Sequence, residues 1–508
     1  MTTLIVQAGG KGTRLEHCGW NKPKCLVPID GKPILYHLLE AFSPVGNILK
    51  VFVIAQHKID VLERYLEVYP PAQTIKISLP SGHGTVSGIS NALLSLEEHE
   101  AFWVVWSDLV FHEKQIEPKS DIPIIFLSRT FPCRWSAQDG SNTLVQEKSD
   151  QSGVMGLFWF PNKTWLAGLP ENGEFVQWLS ANLSYFETRF CDDVIELGTL
   201  STLLNHWDSK TSTRFFNRIT YHGDRVTKQA VLPEYQKMID MEVTWYKEVN
   251  TLGFRQIPKL YGEAPMTMAR IDGSHPFQMQ WGIKGRRLVL EKIFNLISEL
   301  HQLGSKPSNP ETLKSVYLEK TVARIQKVGR LLPRLNTLRS VQVNGVWVRN
   351  VLHQREQEVL SNAFAYVHCE VFTVIHGDPT FSNIIVDRQN NPWFIDPRGY
   401  FSEPGIFGDP NYDWAKLFYS IVGNYDYFNR RQFILSMNAK NIDIEIRESG
   451  WSHFRDMVNE RLGAHLKSVH ILHAFIWLSL SGWVDDDYDS ILAAYFNGLY
   501  HLQRALEL

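Results

Sequence analysis

The sequence predicts an α/β domain followed by an α+β domain, and three observations lead there. At 508 residues the chain is too long for one ordinary core, so two or three domains are expected. It opens with a short apolar strand, LIVQA, that runs into a glycine loop, GGKGTRL. Near the other end, Val374 to Leu417 reads strand, loop, strand, turn, strand, loop, helix. There VFTVI and NIIVD are apolar and β-branched, bounded by Gly, Pro and Asn.

Bulk composition excludes several classes. A 44% hydrophobic and 21% charged content is that of a soluble globular protein. The net charge of −3 offers no basic excess for nucleic acid or for an anionic membrane surface. Cysteines at 18, 25, 133, 191 and 369 form no CxxC pair, so neither a zinc site nor a disulfide scaffold is expected. Free thiols in a reducing cytoplasm are the plain reading. The opening MTTLIVQAGG lacks the basic flank of a signal peptide and reads as a first core strand. The longest apolar run, around HAFIWLSLSGW, is broken by polar residues, so no membrane insertion is expected.

In the glycine loop, Gly9, Gly10 and Gly12 let backbone N–H groups approach phosphate, with Thr13 beside them and Lys11 and Arg14 adding charge. The loop is neither a Walker A sequence nor a dinucleotide fingerprint, since the third glycine is missing. NKPKCLVPIDGKPIL follows at once. GGxGTRL followed by PKxLxPIxGxPIL resembles the sugar nucleotidyltransferase superfamily over the first ~200 residues. The resemblance implies a doubly wound domain that transfers a nucleoside monophosphate onto a phosphorylated sugar or small alcohol. PSGHGTVSGISNALLSL resembles the family segment that contacts the nucleobase, with Gly84 and Thr85 its best-matched residues. FWVVWSDLVF is a buried strand ending at Asp108, where the family holds catalytic Mg2+. Lys148, in EKS where the family has EKP, would approach the acceptor phosphate. In VIELGTLSTLL, Glu196 replaces the Asp that serves the family as second metal ligand. Arg14 and the loop amides would hold the triphosphate, and Lys24 would lie between the α-phosphate and the acceptor phosphate. The acceptor phosphate is already ionised, so no general base is required.

The polar stretch LNHWDSKTSTR places a domain boundary at about 205–212, dividing the chain into 1–207 and 208–508. FFNRITYHGDRVTKQAV then reads as a β-hairpin, with a second HGD in its turn that lacks a following Asn. Lys228 sits on the returning strand, and the next helix, EYQKMIDMEVTWYKEVN, carries Glu242. Residues 287–370 are mostly helical by apolar spacing, and helices resume after the Val374–Leu417 stretch. Within that stretch, Asp378, Asn383 and Asp396 are oxygen donors at loop edges, suited to phosphoryl transfer from a metal-bound nucleotide. HGD-x4-N followed by ID resembles the aminoglycoside phosphotransferase and choline kinase families, relatives of protein kinases. This implies a bilobal fold, with a small lobe at about 213–275 and a large lobe at about 276–508. By the resemblance, Asp378 is the catalytic base, Asn383 and Asp396 hold Mg2+, and Asp413 supports the catalytic loop. Lys228 would bind ATP phosphates and pair with Glu242. Arg398, which follows Asp396 in IDPRG, faces either the phosphates or the acceptor. Trp477, Trp483, Asp485, Asp486 and Asp487 read as a quaternary-ammonium cage or, more simply, as core tryptophans and a helix-start acid cluster.

Together the halves imply a bifunctional enzyme. One half would phosphorylate a small hydroxylated metabolite with ATP. The other would couple that phosphate to an NTP, with CTP the first guess, for surface polysaccharide or lipid decoration. Two alternatives stay open: one half is a regulatory nucleotide-binding module, or the substrate is choline, ethanolamine or an amino-acid derivative. The sequence leaves the oligomeric state open.

Overall fold

The computed structural model describes residues 2–43, 48–115, 118–138, 143–209, 217–438 and 440–508. The chain forms two compact units, Met1–Ser209 with Asp485–Asp489, and Lys210–Val484 with Ser490–Leu508.

The first unit is built on a mixed nine-stranded sheet. Seven of its strands run in the order Ile75–Ser78, Ile48–Ile54, Thr2–Gln7, Ala101–Trp106, Gly153–Phe160, Ile124–Ser128, Glu187–Phe190. The first four are mutually parallel, and Gly153–Phe160 is antiparallel to both of its neighbours. Near-continuous apolar runs suit strands covered on both faces. Leu4, Ile5 and Val6 are fully buried, as are Phe102, Val104 and Val105. Sheet order reverses around Thr2–Gln7: the chain goes first to Ile48–Ile54 on one side and later to Ala101–Trp106 on the other. The carboxyl end of such a switch point is where open α/β sheets bind ligands, and the glycine loop leaves the first strand there. Asp485–Asp489 belongs to this unit, and the buried Lys22 ammonium bonds Asp487 at 3.0 Å and also Asp489.

The polar boundary stretch begins in an α-helix, Leu200–Ser209. Residues 210–212 of the expected boundary lie outside the described residues.

The second unit begins with an antiparallel sheet in the order Asn217–His222, Arg225–Ala230, Met266–Ala269, Leu260–Glu263. The second HGD forms its first hairpin turn, with His222 paired to Arg225. Helix Gln236–Thr251 follows the hairpin. Long helices come later, among them Ile283–His301, Lys320–Leu331, Pro410–Ile421, Leu466–Leu480 and Tyr488–Leu506.

The mostly helical expectation needs correction at two places. Val346–Arg349, Ser340–Val343, Asn441–Ile446 and Phe433–Met437 form a further four-stranded sheet. Its first hairpin turns at Asn344-Gly345, both at positive φ (47° and 78°). An Asn-Gly pair between alternating β-branched residues is a strong hairpin signal, and apolar helical spacing on either side masked it. Trp477 is a fully buried core residue whose indole N–H donates to His473. The simpler reading therefore holds for Trp477.

Candidate functional site

Each unit gathers charged side chains at the ends of its strands. In the first unit the loop after Gln7 leaves Gly10, Lys11, Thr13 and Arg14 exposed, with Gly9 and Gly12 partly covered. Gly12 adopts φ 65° and precedes a short helical turn, Thr13–Gly19. Lys24 Nζ bonds Asp108 Oδ2 directly. Arg14 Nη2 lies 3.9 Å from Asp108 Oδ2 and 3.9 Å from Glu196 Oε1. Four of the expected residues thus meet, although their sequence positions span 14 to 196. Strand pairing of Leu109–Phe111 with Val194–Glu196 brings the two carboxylates together. Burial first, and then the neighbouring Asp108 charge, push the Glu196 carboxyl above its ordinary range, against the opposing pull of Lys24 and Arg14.

The clearance in front of these carboxylates depends on Gly198. A Cβ there would sit 2.1 Å from Glu196 Oε1, 2.7 Å from Asp108 Oδ2 and 3.0 Å from Arg14 Nη2. Two carboxylate oxygens facing a small open cradle fit Mg2+. That ion binds through one or two carboxylates and completes its shell with water and substrate phosphate.

Gly84 and Thr85 are held beside the end of the first strand. Gln7 Nε2 donates to Thr85 O at 2.6 Å, and Thr85 Oγ1 accepts the Phe175 N–H at 2.7 Å. Lys148 is exposed, and the structure does not bring it into the Arg14–Lys24–Asp108–Glu196 group.

In the second unit Lys228 is buried on its strand, with Nζ 2.6 Å from Glu242 Oε2 and 3.0 Å from Asp396 Oδ1. The ammonium between two carboxylates ties the helix bearing Glu242 to the loop bearing Asp396. Asp396 sits at φ 55°, uncommon for a residue with a side chain, and donates its N–H to the Tyr246 hydroxyl. Burial, followed by Glu242 and Asp396, keeps that phenol protonated.

The HGD loop is organised by hydrogen bonds. Fully buried Asp413 accepts the N–H groups of His376 (2.9 Å) and Gly377 (2.8 Å) and contacts His301 Nε2 (3.1 Å). His376 Nδ1 accepts the Asp378 N–H, and Nε2 lies 3.0 Å from Ile395 O, which requires the tautomer protonated at Nε2. Burial lowers the His376 pKa, so the ring stays neutral and shapes the loop. Asn383 turns its amide N–H2 to Asp378, 2.8 Å from the backbone oxygen and 3.0 Å from Oδ2. An amide engaged this way presents its oxygen elsewhere. That oxygen and the Asp396 carboxylate are of the donor type that hard cations take. Lys416 Nζ lies 2.9 Å from Asp378 Oδ1.

Replacing Asp413 by Ala leaves buried N–H donors without acceptors, and each such loss costs about 1–3 kcal/mol. The expected result is a lower melting temperature for the second unit's transition, with the first unit's unchanged, read by calorimetry. An unshifted trace would show that the loop does not depend on Asp413.

Residues 4–117 match the family model of the MobA-like NTP transferase domain, so this part of the chain is of the nucleotidyltransferase type. Residues 4–117 contain the glycine loop, Lys24, Gly84, Thr85 and Asp108. Among curated proteins, the UTP–glucose-1-phosphate uridylyltransferase AglF of Haloferax volcanii is 33% identical over 110 residues, 21% of this chain and 44% of that protein. The bifunctional protein GlmU of Methanocaldococcus jannaschii is 27% identical over 111 residues, 22% of this chain and 25% of that protein. The chain thus spans less than half the length of these curated relatives. Among solved structures, HddC from Yersinia pseudotuberculosis superposes with a TM-score of 0.34 at 20% identity, covering 41% of this chain and 98% of that one.

Sequence reasoning missed Gln7, Gly198, His301 and Lys416. Gly198 stood within the motif read for its acid. Lys416 lies one helical turn beyond Asp413, a spacing that puts both on one face. Gln7 and His301 carried no local signal.

Proposed function

We propose that the chain is a bifunctional transferase. One half moves the γ-phosphoryl group of ATP to a hydroxyl of a small metabolite. The other moves a nucleoside monophosphate from an NTP, CTP being the first candidate, to that new phosphate. The product is an NDP-activated sugar or small alcohol, of the kind used to decorate surface polysaccharide or lipid. The observation that carries this reading is Lys228 bonded to both Glu242 and Asp396, in the same unit as Asp378 and Asn383. A lysine–glutamate pair beside a metal-ligating acid is the nucleotide-positioning device of kinase-type phosphoryl transfer.

In the kinase half, Lys228 would bind the α- and β-phosphates. Asp378, oriented by Asn383 and paired with Lys416, would accept the proton of the attacking hydroxyl. Asn383 and Asp396 would hold Mg2+, which when bound neutralises phosphate charge. In the transferase half, Asp108 and Glu196 would hold Mg2+ in the same capacity. The loop amides of Gly9, Gly10 and Gly12, with Lys11, Thr13 and Arg14, would bind the triphosphate. Gly84 and Thr85 would line the base pocket, and Lys148 would reach the acceptor phosphate from its exposed loop. The acceptor phosphate oxygen attacks the α-phosphorus, pyrophosphate leaves, and Lys24 offsets the charge repulsion between the two anions.

The test is mass spectrometry of products from the intact chain, given ATP, CTP, UTP and GTP with pooled sugars and amino alcohols. ADP and pyrophosphate formed in equal amounts, with an NDP-linked product, are expected. Pyrophosphate from a pre-phosphorylated acceptor, with no ADP from any free one, would reduce the second unit to a binding module.

A further inference from the structure

The kinase reading leaves a group of four cations with too little negative charge to match them: Lys416 and Arg398 sense Asp378, and Lys320 and Arg324 sense Arg398. Lys416 pairs with Asp378. Arg398 donates from Nη1 to the Tyr412 hydroxyl at 3.0 Å and stacks over the Tyr400 ring at 4.2 Å. Arg324 donates from Nη1 to Ser479 Oγ at 2.7 Å and lies 5.2 Å over the Trp483 ring. Lys320 stands one turn before Arg324 on the same helix. Among the described residues, no carboxylate ion-pairs with Lys320, Arg324 or Arg398.

These side chains come from three separate elements that one contact set holds in place. A π-helical turn, Lys314–Glu319, leads into the helix of Lys320 and Arg324. It carries Tyr317, whose hydroxyl donates to buried Asp409 Oδ2 at 2.9 Å and whose ring packs 5.9 Å from that of Tyr412. Asp409 caps the helix that bears Tyr412 and Lys416. Tyr412 in turn lies within 5.6 Å of the Arg398 guanidinium and 5.8 Å of the Lys416 ammonium. Burial, and then the charges of Arg398, Arg324 and Lys416, push Lys320 down to about 7. A group held at such a cost without a counter-charge is relieved when an anion arrives.

We infer that the hydroxyl phosphorylated in the C-terminal half belongs to an anionic small molecule, whose carboxylate or phosphate is held by Lys320, Arg324 and Arg398 while its hydroxyl faces Asp378. This rests on the kinase reading and names the substrate class for that site. Arg398 supplies a fixed planar donor set for an oxyanion, and Lys320 supplies a point charge. The cluster is set apart from the nucleotide device. Lys228 is on the small antiparallel sheet with its own two carboxylates, whereas Lys320, Arg324 and Lys416 are on helices of the helical part. A quaternary ammonium acceptor fits badly: Trp477 is buried in the core, and the exposed Trp483 ring already carries Arg324.

The experiment compares choline, glycerol, glycerate and glycerol 3-phosphate as acceptors for the intact chain. Phosphate transfer from ATP is followed as ADP release, and binding by calorimetry with a non-hydrolysable ATP analogue present. Glycerate or glycerol 3-phosphate should bind and turn over while glycerol and choline do not, and the better of the two identifies carboxylate or phosphate as the anchor. In Lys320→Met and in Arg324→Gln, kcat/KM for the anionic acceptor should fall about 10-fold or more, with KM for ATP unchanged. Lys320→Met keeps the apolar stem, so at least one variant should fold, as judged by circular dichroism. Turnover confined to glycerol or choline, or variants that raise KM for ATP instead, would overturn the inference and leave the kinase reading intact. Binding of the anionic pair without turnover of any acceptor would support the anion site and overturn the kinase reading. Absence of both binding and turnover for glycerate and glycerol 3-phosphate would overturn the inference.

Discussion

Asp378→Asn should lower phosphorylation of the free acceptor by about 10²–10⁴-fold, the usual contribution of a positioned general base. Nucleotide transfer to the pre-phosphorylated acceptor should continue at the wild-type rate. The two sites share no residue, since Arg14, Lys24, Asp108 and Glu196 belong to the first unit and Asp378 to the second. The substitution has a second effect that must be separated from the first. Burial disfavours the charge of Lys416, and Asp378 is the first of the partners that hold its pKa above the ordinary range. Asn at 378 leaves that ammonium without its counter-charge, and breaking such a pair costs about 3–5 kcal/mol. The single variant should therefore melt earlier as well as turn over more slowly. The double variant Asp378→Asn with Lys416→Met removes both charges and should recover most of the melting temperature while recovering none of the phosphorylation. ADP release and thermal melts on the same preparations check this. A double variant that regains activity along with stability would show that Asp378 acts through folding alone. Loss of nucleotide transfer in a folded single variant would contradict independent sites.

What the sequence discloses depends on how local the cause is. The first strand and its glycine loop are legible because apolar run, glycines and loop are contiguous. The Lys228–Glu242 contact is legible because a strand and the next helix, 14 residues apart in sequence, face each other with little choice. The added sheet of Ser340–Val343 and Phe433–Met437 is different. Its Asn344-Gly345 turn was visible, but pairing of Ser340–Val343 with Asn441–Ile446 spans about a hundred residues, and no local pattern announces it. Helix Leu200–Ser209 lies in a stretch whose polar composition marked a domain boundary. One amphipathic face was enough to fold it: Leu203 is fully buried and Trp207 donates to Pro28 O at 3.0 Å. The group of four cations was the least legible part. Lys320 and Arg324 lie in an ordinary amphipathic helix, and the contacts of Tyr317 with Asp409 and Tyr412 bring its start beside that ring.

Gly198→Ala should separate fold from chemistry in the first unit more sharply than removal of any charge. Gly198 is not in the left-handed region, so an alanine backbone is tolerated there. The atoms its methyl would meet are the ends of three side chains, Glu196 Oε1, Asp108 Oδ2 and Arg14 Nη2. Those ends can swing away at little cost to stability. They cannot do so and still present two carboxylate oxygens to one ion, because Mg2+ demands near-ideal octahedral geometry. A displacement on the order of 1 Å at such a site costs about 100-fold in rate. The expected outcome is a melting temperature close to wild type, nucleotide transfer reduced about 100-fold, and a raised Mg2+ requirement. Acid should lower nucleotide transfer in both proteins. The ligand form of Glu196 is its carboxylate, and its pKa is already raised by burial and by Asp108, so Mg2+ affinity falls as pH drops through that raised value. Pyrophosphate release measured across a Mg2+ series at two pH values, beside a thermal melt, decides the matter. Wild-type turnover at wild-type Mg2+ concentration in the alanine variant would show that the clearance in front of Asp108 and Glu196 is not where the metal sits.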